Sequence, residues 1–158
     1  MIGHTKAARI GIIFIFILIL GSLFVYIPKE ENKVEAAGSP AITIKLAQPK
    51  ATAYVAPGQD GVVTFTGTVM ATIPWSPNIQ YLIVSLQADA AGWPVSVTPQ
   101  ALTFNKAQKQ QDFSISVQVP IQTSQSTQGQ LSVSGRWRYS PGTMGGNVDP
   151  ATAIIVVK

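Results

Sequence analysis

From Ile42 to Val157 the chain returns again and again to one pattern, an apolar residue at every second position. Ile42, Ile44 and Leu46 alternate with Thr43 and Lys45, and Val63, Phe65, Gly67 and Val69 with Thr64, Thr66 and Thr68. The same rhythm holds for Leu82, Val84 and Leu86, for Trp93, Val95 and Val97, for Phe113 to Val119, and for Leu131, Val133, Trp137 and Tyr139. Successive side chains of a strand point to opposite faces, so each run predicts a strand with one apolar and one wet face. Ala153–Val157 is apolar throughout and reads as a further strand. Turn signals separate the runs: Pro57-Gly58, Pro74 to Asn78, Ala91-Gly92, Thr98-Pro99, Thr123 to Gly129 and Pro141 to Asn147. Many short, evenly punctuated strands predict an all-β fold, an antiparallel Ig-like β-sandwich of seven to eight strands over residues 41–158. Pro94 predicts an edge strand, because proline cannot donate to a ladder. "YVAPGQDGVVTFTGTV" and "TFNKAQKQQDFSISVQV" echo one another, each a short strand, a polar turn and an alternating strand.

The N-terminal part is of another kind. Lys6 and Arg9 precede an uncharged apolar run of 18 residues, Ile10–Ile27, which Pro28 ends. That length falls within the roughly 17–25 residues of a spanning helix and exceeds the roughly 7–15 of a signal-peptide core. Positive charge ahead of the run predicts a cytoplasmic N-terminus and an external domain. The chain is thus expected to divide into a cytoplasmic segment (1–9), a transmembrane helix or signal anchor in the bilayer (10–27), a linker (28–40) and the sandwich (41–158). Cleavage is the rival reading, since Val34-Glu35-Ala36 and Ala36-Ala37-Gly38 offer small residues to a signal peptidase.

Composition narrows the chemistry. The chain has no cysteine, and its one histidine is His4, ahead of the apolar run. Thiol chemistry, disulfides, and a histidine-based triad or metal site in the domain are excluded. The net charge is +4. From Pro40 onward the charges are seven cations, Lys45, Lys50, Lys106, Lys109, Arg136, Arg138 and Lys158, against four acids, Asp60, Asp89, Asp112 and Asp149. This is not the clustered basic face that nucleic acid requires. The four aspartates lack the D-x-D-x-D-G spacing of a calcium loop and read as separate turn residues. No cofactor or metal is expected. "PGTMGGNVDP" has no Lys-Ser/Thr ending and reads as a long mobile hairpin loop rather than a phosphate loop. No asparagine is followed by the x-Ser/Thr of a glycosylation acceptor.

"GWPVSVTPQALTFNKAQKQQDFSISVQVP" resembles the Ig-like modules of prokaryotic surface proteins, notably the NEW3-type domain. Gly92, Trp93, Val95, Pro99, Leu102, Phe104, Phe113, Val117 and Pro120 fit that pattern. The departure is Asn105-Lys106-Ala107-Gln108, where the family commonly has Pro-Gly. The resemblance covers about a quarter of the domain, carries no catalytic residues, and implies a surface or accessory role by analogy.

Three residues are candidates for partner contact. Trp75 sits between prolines in "IPWSPN", where it either stacks on a partner or plugs the end of the sandwich. Arg136 and Arg138 lie two apart, and so on one strand face, able to grip an acidic group or simply solvate the face. Trp93 and Trp137 read as core. With no histidine, cysteine or close carboxylate pair in the domain, the chain is not expected to be an enzyme. The expected role is a single-pass, membrane-anchored Ig-like module with a structural or binding role toward envelope proteins or polysaccharide. The alternatives are a secreted protein and a subunit of a surface filament. A filament subunit would self-associate as a pilin does or by donating a strand, and Ala41–Leu46 is the obvious donor. Pilin-like assembly is disfavoured because a mature chain starting at Ile10 would carry Phe14, where type IV pilins usually have a glutamate.

Overall fold

The computed structural model describes residues 38–158. The segments expected at 1–9 and 10–27, and the linker up to residue 37, lie outside the described residues.

Nine strands form, rather than seven or eight: β1 (Ala41–Leu46), β2 (Lys50–Ala53), β3 (Gly61–Thr72), β4 (Tyr81–Ala90), β5 (Val95–Thr98), β6 (Ala101–Phe104), β7 (Gln110–Val119), β8 (Gln128–Ser140) and β9 (Gly145–Val157). They make two sheets, ordered β1-β3-β7-β5 and β2-β9-β8-β4-β6. Every pairing is antiparallel except that of β2 with β9. The inward residues of both sheets meet in one apolar core. Its largest fully buried side chains are Phe65, Phe104, Leu82, Leu102, Ile115, Leu131 and Ile155. Each such burial contributes about 1.5–3 kcal/mol. The buried residues on β3, β4, β7 and β8 are the ones the alternation selects.

Several elements depart from the sequence reading. β2 was missed because its sequence, KATA, buries fully only Ala53 and carries no large apolar residue. "PGTMGGNVDP" is not a long loop: β9 begins at Gly145, and the tight turn is Pro141 to Met144. Two of its three glycines answer to packing. A Cβ on Gly145 would lie 2.6 Å from the Trp137 carbonyl oxygen, and one on Gly146 would lie 2.8 Å from Trp137 Nε1. Pro150 is tolerated inside β9 because β2 flanks that strand only from Ile154 onward.

WPVSV and ALTF flank Thr98-Pro99, but they are not a hairpin: β5 belongs to one sheet and β6 to the other. The turn crosses the sandwich instead. Pro94 does precede an edge strand, β5. Ala91 and Gly92, at φ 56° and 79°, turn the chain so that the Trp93 N–H donates to the Ala90 carbonyl. Trp93 then lies against Gly129, where a Cβ would come within 2.5 Å of its ring. The Asn105 turn, which departs from Pro-Gly, is closed by its own side chain: Asn105 Oδ1 accepts from the Ala107 and Gln108 amides, each at 2.9 Å. The two echoing segments supply β3 and β7, which are neighbours in register over their length.

The topology sorts the connections between two ends. The near end gathers residues 38–40, the β3–β4 and β6–β7 connections and the β8–β9 turn. The far end gathers the β2–β3, β4–β5 and β7–β8 connections.

Candidate functional site

Arg136 and Arg138 both lie exposed on the outer face of the second sheet, as their spacing requires. Arg136 stands between Ser85 of β4 and Asn147 of β9, and Arg138 between Ile83 and Gly145. None of these neighbours is acidic, so no register partner neutralises either guanidinium. Tyr81, 44% exposed, pairs with Ser140 and so lies diagonal to Arg138 on the same face. Sequence reasoning missed Tyr81 because it stands just ahead of an alternating run and looks like one more strand residue.

Trp75 lies in the β3–β4 connection, half-buried against the core. It shares the near end with Arg138, while Arg136 sits one row further into the sheet. Beneath them the Trp137 and Tyr139 rings pack edge to face, with centroids 5.2 Å apart. The Tyr139 hydroxyl donates to the Gly38 carbonyl at 2.8 Å. That bond ties the incoming chain to β8. Desolvation of the Tyr139 phenol raises its pKa above the ordinary tyrosine value.

The four aspartates do not meet. Asp60 accepts from Gln118 Nε2 at 2.7 Å and from the Ile121 amide at 2.8 Å, which pins the β7–β8 connection to the start of β3. Asp112 accepts from the Thr68 hydroxyl at 3.2 Å on the outer face of the first sheet. Asp89 pairs with Ser132 on the second sheet, and Asp149 lies in β9. The outer face of the first sheet is rich in hydroxyls, with Thr64 opposite Ser116 and Thr66 opposite Ser114. A shallow depression of about 450 Å³ lies where β4 outruns β6, between Asp89, Val95 and Gln100. Another of about 510 Å³ lies over the β8–β9 pairing beside Pro49.

No family model matches the chain, and no curated protein does. The resemblance over Gly92–Pro120 therefore has no family match behind it. Among solved structures, the CooA pilin subunit of enterotoxigenic Escherichia coli is similar at 16% identity and a TM-score of 0.42, over 73% of this chain and 99% of that one. AggA, the major subunit of E. coli aggregative adherence fimbriae, is similar at 11% identity and a TM-score of 0.41, over 77% and 97%. The Salmonella enterica SafA pilin in complex with the SafB chaperone is similar at 13% and 0.42, over 77% and 56%. Likeness at this level transfers neither partners nor a mode of assembly.

Proposed function

We propose that the chain is a structural subunit of a cell-surface assembly, an Ig-like β-sandwich that acts outside the cytoplasmic membrane by exchanging its first strand with another copy. The observation that supports this is the placing of β1. It is the first strand in the described chain, the terminal strand of its sheet, and joined to β2 by only Ala47 to Pro49. It lends the core Ile44, with Ile42 and Leu46 partly buried beside it. Within one chain β1 pairs with β3 through six register partners, Ala41–Thr72 to Leu46–Gly67, so the sandwich closes on itself. The same six partners and the same three apolar side chains fit the β3 of a second copy. Exchange is then near-neutral in contacts, and concentration and the tether decide between the closed and the linked form.

The pair Thr43–Met70 gives a test, since both side chains are exposed and opposite in register. Cysteines there have suitable spacing for a disulfide, and the chain has none of its own. Co-expressed T43C and M70C chains should form a disulfide-linked dimer. The double variant, oxidised as a dilute monomer so that the bond closes within one chain, should fail to form higher assemblies and form them on reduction. Assemblies that persist with β1 locked in its own chain would exclude exchange.

A second reading keeps the domain as a single-pass module whose apolar run, Ile10–Ile27, holds it at the bilayer. It is favoured by the self-closed pairing of β1 and by the tie of Gly38 to Tyr139, ten residues beyond the run's last flank at Pro28. The mature N-terminus, read by mass spectrometry from native membranes, separates the cases. Retention of residues 1–27 supports the anchored module, and a start near Ala37 a released one.

A further inference from the structure

The two ends of the sandwich differ in charge. The near-end connections carry Lys106 and Lys109 and no acidic residue, and one row behind them stand Arg138 on β8 and Asp112 on β7, the latter on the outer face of the other sheet. The far-end connections carry Asp60 and no cation, and only Lys158 follows. The near end also presents rings and an apolar side chain to solvent: Tyr81 at 44%, Met144 at 38% and the half-buried Trp75. Amphipathic rings beside cations are the composition of a membrane–water interface. The far end exposes Tyr54 and Ile121 as well, so exposed apolar surface does not distinguish the ends. Charge does, and so does the path of the chain. The polypeptide reaches the sandwich at the near end, where Gly38 is bonded to Tyr139. Ten residues, Pro28 to Ala37, separate that point from the apolar run and span at most about 35 Å.

We infer that the near end is a lipid-docking surface that rests on anionic headgroups, with Lys106, Lys109 and Arg138 as the charge contacts and Trp75, Tyr81 and Met144 at the interface. The inference does not depend on strand exchange. It rests on the reading in which Ile10–Ile27 holds the domain at the bilayer.

The test places the full chain in vesicles of zwitterionic phosphatidylcholine, or of the same lipid with about a third phosphatidylglycerol, with bromines on the upper acyl chain. Docking predicts quenching of tryptophan emission in the anionic vesicles that W75F removes and W93F, at the far end, does not. Neutralising one cation should lower the ratio of docked to undocked domain about fivefold, and K106Q/K109Q/R138Q together about a hundredfold. Raising the salt from 0.05 to 0.5 M should act in the same direction. The three cations are exposed, and an unchanged near-ultraviolet circular dichroism spectrum will show that the fold is kept. Quenching equal in both lipids, quenching lost with W93F instead, or none that the triple variant alters would overturn the inference. So would capture of a soluble polyanion or protein by this end with no quenching in vesicles.

Discussion

Gly67 offers the sharpest test of how β1 is held. It lies inside β3 at its last partner in β1, Leu46, and opposite Phe113 of β7. A Cβ there would sit 2.4 Å from Phe113 Cζ and 2.7 Å from the Lys45 carbonyl oxygen. Ordinary carbon contacts begin near 3.5 Å, so the overlap with the ring is about 1 Å. Phe113 is buried in the core, and the Lys45 oxygen belongs to the backbone of β1. Overpacking of this kind costs about 1–3 kcal/mol, and two short contacts put G67A toward the top of that range. Alanine recovers roughly 0.5–1 kcal/mol of the entropy cost of glycine in a strand, leaving a net loss of about 2 kcal/mol. Denaturant unfolding in detergent should show that loss as a lower midpoint with unchanged slope. Amide exchange should quicken first in Thr43, Lys45 and Ala47, the β1-side amides whose register pairs face β3, because the easiest relief is to lift β1. A G67A chain within about 0.5 kcal/mol of the parent, with β1 as protected as before, would refute the reasoning.

Two further substitutions probe the ties at either end. D60A removes both bonds that hold the β7–β8 connection and should cost about 1 kcal/mol, given how exposed they are, whereas D60N keeps an acceptor for the Ile121 amide and should cost less; urea titration of the two variants ranks them. Y139F loses the bond to Gly38 and should cost about 1 kcal/mol at neutral pH. The raised pKa of Tyr139 gives that cost a pH signature. The native phenol holds its proton where the unfolded chain has ionised, so its contribution is full below about pH 10 and is lost as the pH rises beyond. The stability gap between parent and Y139F should therefore narrow above pH 10, and a gap that widens there would contradict the assignment.

Strand interiors were legible wherever apolar and polar residues differ strongly in size and polarity, as in Val63–Val69 and Phe113–Val119. β2 was not, because a strand of lysine, alanine and threonine takes its place from the β9 edge it joins rather than from a face of its own. Gly145 and Gly146 looked like loop residues, and only Trp137, its carbonyl oxygen against Gly145 and its indole against Gly146, explains their presence in a strand. Thr98-Pro99 was legible as a turn, but whether a turn reverses the chain within a sheet or carries it to the other sheet depends on which strands are free to pair. The paired arginines were visible from their spacing. The basic, ring-bearing end was not, since Trp75, Tyr81, Lys106, Lys109 and Arg138 are scattered over more than sixty positions and only the strand register gathers them.

The parallel pairing of β2 with β9 has a mechanical consequence. The chain comes in at the near end and β9 runs out at the far end, so tension between them pulls along the strand axes. Lys50–Ala53 and Ile154–Val157 would then have to slide past one another with all four register pairs loaded together, and β1 would slide along β3 in the same way. Bonds sheared in parallel share a load that bonds unzipped in series meet one at a time. A sandwich strung by its two ends is thus pulled in the direction in which its short edge strands resist best.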